Sequence, residues 1–219
     1  ETNKECFKIF SEGKSEVPLR TTIQAPNHNG VFLFMPSYVE ELDAAGLKVV
    51  NIFPENAKEN LPTAPAQVLL IDGKTGIVSS ILDGTYVTQL RTGASSGAAF
   101  DLFAIKDAKI GALIGTGGQA ATQLEAMMVA RELDEVRVFD LDPNRRQAFV
   151  NRMQEELKCY NTKIVEAISS DDAIENADII VTVTPSSKPV FDGTKVKKGA
   201  TVSCVGAYQH HMQEMDPAI

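Results

Sequence analysis

Hydrophobic and polar positions change their rhythm near residue 105. Before it, short apolar runs rich in β-branched and aromatic residues predict strands at residues 31–35, 47–53, 67–72 and 76–82. The last two flank Asp72-Gly73-Lys74-Thr75-Gly76, which is turn chemistry, so they predict a hairpin. Residues 85–105 are dense in Ala, Gly, Ser, Leu and Phe and predict a closely packed helix. Gly93 and Gly97 lower its intrinsic helix propensity.

After residue 108, strand and helix alternate. An apolar run at 110–114 predicts a strand. Ala120, Leu124, Met127, Met128 and Leu133 recur at helical spacing and predict a helix over 118–133. A strand is expected at 136–140. Asp142 is placed to cap a helix opened by Pro143 and running to about Lys158. A strand at 163–166, a short helix at 170–176 and strands at 178–184 and 201–205 complete the pattern. This βαβαβ rhythm predicts an α/β fold with a doubly wound parallel sheet over 106–219, preceded by a separate α+β domain over 1–105.

Composition excludes several classes of function. The chain has 219 residues, 43% of them hydrophobic and 23% charged, enough apolar material for real cores. A net charge of -8 argues against a nucleic-acid partner and against anionic membranes. No run approaches a membrane span, and no signal peptide opens the chain. Cys6, Cys159 and Cys204 follow no CxxC spacing and read as reduced thiols of a cytoplasmic protein.

The informative motif is Gly115-Thr116-Gly117-Gly118-Gln119-Ala120, a GxGxxA turn between a predicted strand and a predicted helix. Gly115 permits the tight turn, Gly117 lets backbone approach a pyrophosphate, and Ala120 allows close helix–strand packing. The helix N-terminus then supplies N–H groups and partial positive charge. Asp140 closes the next strand, roughly twenty residues on, where an acid hydrogen-bonds the adenosine ribose of a dinucleotide. Together these features predict a Rossmann domain. Asp140 favours NAD over NADP, because a carboxylate repels a 2′-phosphate. Arg145 and Arg146 stand nearby and keep NADP open, although a solvated helix face is the preferred reading for both.

Three cations of the first half sit in apolar or small-residue surroundings: Arg20 after Pro18-Leu19, Lys48 within Gly46-Leu47-Lys48-Val49-Val50, and Arg91 within Leu90-Arg91-Thr92-Gly93-Ala94. Half-buried cations need an anionic partner. A substrate carboxylate is one such partner; structural ion pairs, or a snorkelling stem for Lys48, are the alternatives.

Taken in order, these segments, with Met35-Pro36, Asp83-Gly84 and Thr182-Val183-Thr184-Pro185-Ser186, resemble the ornithine cyclodeaminase/mu-crystallin family over essentially the whole chain. The resemblance implies an NAD(P)-binding Rossmann domain inserted into a substrate-binding domain that also forms a homodimer. It implies that Arg20 and Arg91 clamp a substrate carboxylate and that Lys48 meets the reacting nitrogen or carboxylate. Thr92, Gly115, Thr116, Gly117, Gly118, Gln119, Asp140, Thr184 and Gly206 would line the cofactor. Family members are longer, so a fragment is expected, lacking their first helix and their returning C-terminal segment.

One departure matters. Tyr208 stands where cyclodeaminases and the related alanine dehydrogenases carry an aspartate, and the Pro-Gly-Lys that follows it there is missing here. Gly206-Ala207 followed by Glu214 is closer to the reductase and mu-crystallin branch. Tyr208 is read as a loop residue beside the cofactor, with proton donation the alternative. His28, His210 and His211 are read as loop or turn residues, and no metal site is expected. The expected activity is NAD(P)-dependent reduction of a small imino acid of ketimine or pyrroline-2-carboxylate type, or oxidation of the matching amino acid. The alternatives are ornithine cyclodeamination and non-catalytic dinucleotide-dependent binding.

Overall fold

A computed structural model describes residues 1–59 and 61–219. The chain divides into two compact units, Glu1–Arg91 and Thr92–Ile219.

The first unit opens with helix α1 (Thr2–Ser11) and then builds an antiparallel sheet. Its strands are β1 (Ser15–Glu16), β2 (Thr21–Ala25), β3 (Gly30–Val39), β4 (Ala44–Ile52), β5 (Ala66–Asp72) and β6 (Val78–Asp83). The order is β1-β3-β4-β5-β6, with β2 also pairing with β3. The β5–β6 hairpin is held at its turn by the Asp72 carboxylate, which accepts from the Lys74 and Thr75 N–H groups and the Thr75 hydroxyl. β3 and β4 extend several residues beyond their apolar runs, since an antiparallel ladder continues through Pro36 to Val39 where the sequence turns polar. The sequence signals of α1, β1 and β2 are weak, because β2 is largely exposed and lacks the alternation of a half-buried strand.

Alternation assigns each strand residue to a face. Leu33, Val50 and Ala66 are buried on one face, with Val31, Met35 and Ile52 packed against them. Lys48 lies on that same face, in register with Met35 on one side and Val68 on the other. Phe32, Phe34, Leu47, Val49, Leu69, Ile71 and Ile81 point to the opposite face.

Helix α2 (Gly84–Phe103) runs across the division between the units. Its second half belongs with the second unit, so the division falls at Arg91 and not at the expected residue 105, for a packing reason. Gly93 and Gly97 lie so close to the Thr122 and Ala126 backbone that a side chain at Gly93 would collide with it. Phe100 is fully buried in the core beyond. The glycines that weaken helix propensity are therefore what let this helix dock.

The second unit contains β7 (Ile110–Ile114), α3 (Ala120–Ala130), β8 (Glu135–Phe139), α4 (Pro143–Glu156), β9 (Lys163–Glu166), α5 (Ser170–Ile174), β10 (Ile179–Thr182) and β11 (Thr201–Cys204). The sheet is parallel throughout, in the order β11-β10-β7-β8-β9. This is the doubly wound arrangement, with its switch point between β7 and β10. Leu113, Val136, Val138, Ile179 and Val181 face one core; Ala112, Ile114 and Ile180 face another. At the centre of the sheet both faces are covered, so β7 and β10 are nearly continuous apolar runs. Asp142 caps α4 as its sequence position predicts, accepting from the Asn144 and Arg145 N–H groups. Among the described residues no helix is long and apolar enough to cross a membrane.

Candidate functional site

The second unit carries a cavity of about 680 Å³ at the C-terminal ends of its strands. Gly115, Thr116, Gly117, Asp140, Arg145, Ser169, Thr184, Pro185 and Ser186 are among its lining residues. This is the edge of an open α/β sheet where ligands bind, beside the switch point. Gly115 adopts φ +98, a left-handed conformation that a side chain resists, and any Cβ there would press on Val183 and Thr184. A Cβ on Gly117 would meet nothing within 4 Å, so the loop leaves open space at that position. Gln119 precedes α3, and Ala120 is fully buried at its first turn, which is the close helix–sheet packing expected of the sixth motif position.

Asp140 is buried and organises the loop. Its Oδ2 accepts from the Thr116 N–H at 2.8 Å, the Thr116 hydroxyl at 2.7 Å and Arg145 Nη2 at 3.1 Å. Its Oδ1 accepts from the Asp142 N–H at 3.0 Å. Burial alone would raise its carboxyl, but the Asp142 and Thr116 donors, helped by the Arg145 charge, outweigh it and hold the group below the ordinary carboxylate value. Arg145 stays largely exposed, as expected of a solvated helix face, and from there pairs with Asp140 at the rim of the cavity. Arg146 instead pairs with Glu166 at 2.8 Å, consistent with a structural role.

Thr184 and Gly206 are tied together by a residue whose weight the sequence understated. Glu214 is almost fully buried. Its Oε1 accepts from the Thr184 N–H at 2.6 Å and hydroxyl at 2.8 Å, while its Oε2 accepts from the N–H groups of Gly206 at 2.6 Å and Ala207 at 3.1 Å. Thirty positions separate Glu214 from Thr184, so no local spacing links them. Tyr208 is exposed, and His210 and His211 lie in the adjoining turn. Among the described residues, no group of His, Cys, Asp and Glu could hold a metal ion.

In the first unit the three expected cations share one electrostatic neighbourhood. Lys48 is half-buried, and its amine is pushed down to about 8, first by burial and then by the charges of Arg91 and Arg20. No carboxylate contributes to that balance. Arg20 and Arg91 both reach solvent. A concentration of positive charge around an amine whose proton is loosened towards neutral pH suits a carboxylate-bearing ligand with a protonatable nitrogen.

The comparisons agree with this picture. The model of the ornithine cyclodeaminase/mu-crystallin family matches residues 1–219. A Delta(1)-pyrroline-2-carboxylate reductase of Bacillus cereus is 37% identical over 210 residues, which are 96% of this chain and 63% of that protein. The structure of the Thermococcus litoralis Delta(1)-pyrroline-2-carboxylate reductase, in complex with NADH and L-proline, superposes with a TM-score of 0.92 at 37% identity, over 98% of this chain and 65% of that one. An archaeal alanine dehydrogenase dimer with bound NAD gives 0.88 at 31% identity, over 98% and 64%. The chain therefore spans less than two thirds of the length of these relatives. The chain belongs to the ornithine cyclodeaminase/mu-crystallin family.

Proposed function

We propose that this chain forms part of an NAD-dependent reductase of a small imino acid of ketimine or pyrroline-2-carboxylate type, able in reverse to oxidise the matching amino acid with NAD+ as hydride acceptor. The observation that carries the reading is Lys48, half-buried, with its amine brought to about 8 by burial and by two neighbouring guanidinium groups. An acid poised near neutrality is matched to proton transfer at physiological pH. Support comes from the names of the relatives above and from the dinucleotide fingerprint of the second unit.

The cavity fits the cofactor. Gly117 leaves the space a pyrophosphate needs, and the N-terminus of α3 offers its N–H ends. Asp140 keeps Oδ1 with a single protein donor, so it can accept from a ribose hydroxyl. A bound nicotinamide would supply hydride to the imine carbon or accept it from the amino acid. Thr92, Gly118 and Gln119 remain assigned to the cofactor by resemblance. In this reading Arg20 and Arg91 hold the substrate carboxylate, whose planar fork suits a guanidinium. Lys48 gives a proton to the imine nitrogen in reduction and takes one from the amine in oxidation. Orientation carries much of the rate, because hydride and proton must reach adjacent atoms.

Ornithine is disfavoured as substrate. Its second ammonium needs an anion, and Tyr208 stands at the position where cyclodeaminases carry the aspartate. A homodimer is also proposed: the sheet face bearing Leu69, Ile71 and Ile81 is apolar, and Ile81 is largely exposed.

The test is steady-state oxidation of NADH with pyrroline-2-carboxylate. Turnover that falls away above pH 8 is expected, as Lys48 loses its proton. No turnover with any cyclic or linear imino acid, or ammonia release from ornithine, would overturn the reading.

A further inference from the structure

Glu214 has no part in the reaction just described, and it serves no hydrophobic core. Its carboxylate is buried, receives only neutral donors, and has no lysine or arginine within ion-pair distance among the described residues. Burying such a charge is unfavourable unless its hydrogen bonds do something that apolar packing cannot. What they do is local. Every donor belongs to the loops that leave β10 and β11, at the C-terminal edge of the sheet.

The surrounding backbone completes a clamp. The Gln213 N–H donates to the Ser186 carbonyl at 2.9 Å, and the Val190 N–H donates to the Glu214 carbonyl at 3.0 Å. Both ends of the 186–190 loop, which forms one cavity wall, are therefore pinned to residues 213–214. Thr184 itself is held from two more sides. Any side chain on Gly115 would press on it, and any side chain on Gly206 would collide with its backbone. Gly115, Thr184 and Gly206 are thus stacked in contact, and Glu214 is the bolt through the last two.

The location decides what the bolt is for. Asp140 directly follows β8, on the side of the switch point that takes the adenosine half of a dinucleotide. β10 and β11 lie on the other side, where the nicotinamide mononucleotide half must extend. We propose that Glu214 is a positioning residue for the nicotinamide half of the cofactor, acting through Thr184 and Gly206, and without influence on the adenosine half. This rests on the cofactor reading above.

Fluorescence titration of the full chain with NADH, beside calorimetric titration with AMP, tests it. In Glu214→Gln the amide nitrogen turns a donor towards N–H donors, so one of the two loops loses its acceptor. The expected result is NADH affinity lowered ten-fold or more, with AMP affinity changed less than two-fold. Thr184→Val, which removes one donor and keeps the volume, should weaken NADH several-fold with AMP again unchanged, and it decides the matter if Glu214→Gln does not fold. Equal losses for NADH and AMP, or no loss for NADH, would overturn the proposal and leave Glu214 a purely structural residue. If the unaltered chain binds AMP but not NADH, or neither, the cofactor reading fails and takes this inference with it.

Discussion

The two units bury their sheets in different ways. The parallel sheet of the second unit is covered on both faces, and Leu113, Val136, Ile179 and Ile180 are fully excluded from solvent. The antiparallel sheet of the first unit buries only Leu33, Val50 and Ala66 among its core residues, while Ile23, Val78, Ile81 and Leu82 stay exposed. A parallel sheet needs helices on both faces to exist, so its core is complete within one chain. An antiparallel sheet can leave one face open and use it. The second unit accordingly closes its core around a cavity, whereas the first leaves apolar side chains of its sheet in solvent, the surface to which the proposed dimer contact is assigned.

The largest expected effect separates chemistry from cofactor binding. Lys48→Met should lower kcat/KM for imino acid reduction by about 10²–10⁴-fold, the usual worth of a positioned proton donor. NADH affinity should not change. Stability should not fall either. In the folded chain Lys48 titrates near 8, below its ordinary 10.5, so the unfolded chain holds the proton more tightly. At pH 7 that proton works against folding, and stability contributed by this group rises with pH between about 8 and 10.5. Thermal melts at pH 7 should therefore show Lys48→Met at or above the parent. A lower Tm with proportionally lower NADH binding would make Lys48 a structural residue.

Next in size is a contrast between the sheets themselves. Leu113→Ala opens a cavity in a closed core and should cost about 2–5 kcal/mol, read as a large fall in Tm. Ile81→Asp removes an exposed apolar side chain and should leave the Tm of the monomeric chain nearly unchanged. Its effect should appear in sedimentation, as a shift from dimer to monomer. If Ile81→Asp melts the chain as Leu113→Ala does, that face is an internal core and not a contact surface.

The same contrast explains what the sequence revealed. β7 runs over 110–114, the span its apolar run predicts, because a strand buried on both faces has no polar alternation to blur its ends. The glycine turn and Asp140 were legible because their spacing is local and each residue has a backbone reason. In the first unit, the apolar runs mark only the centres of β3 and β4. Their ends, and β2, are set by hydrogen-bond partners rather than by composition. The boundary at Arg91 was hidden because it falls inside a continuous helix whose two halves pack on different neighbours. Glu214 was noticed only as part of a family pattern, since its significance lies in contacts with residues 30 positions away. The pairing of Arg145 with Asp140 was not legible for a smaller reason. One turn of α4 places it over Asp140, and neither its charge nor its spacing reveals which way it leans.

That lean allows the finest test of the cavity. Arg145 pairs with Asp140 at 3.1 Å, but its side chain is 60% exposed, so the pair itself should contribute no more than about 1 kcal/mol. Asp140 keeps its Thr116 and Asp142 donors when Arg145 is removed. Arg145→Ala should then lower NADH affinity by less than about three-fold. A cofactor with a 2′-phosphate poses a different problem, because Asp140 repels it and Arg145 is the nearby cation able to turn from carboxylate to phosphate. Losing a charge-assisted contact of about 1.5–3 kcal/mol, NADPH should weaken by about ten-fold or more. Parallel titrations with NADH and NADPH therefore read the residue's orientation directly. Unequal losses mean that Arg145 serves the 2′ position and widens cofactor choice, whereas equal losses mean that it only steadies Asp140.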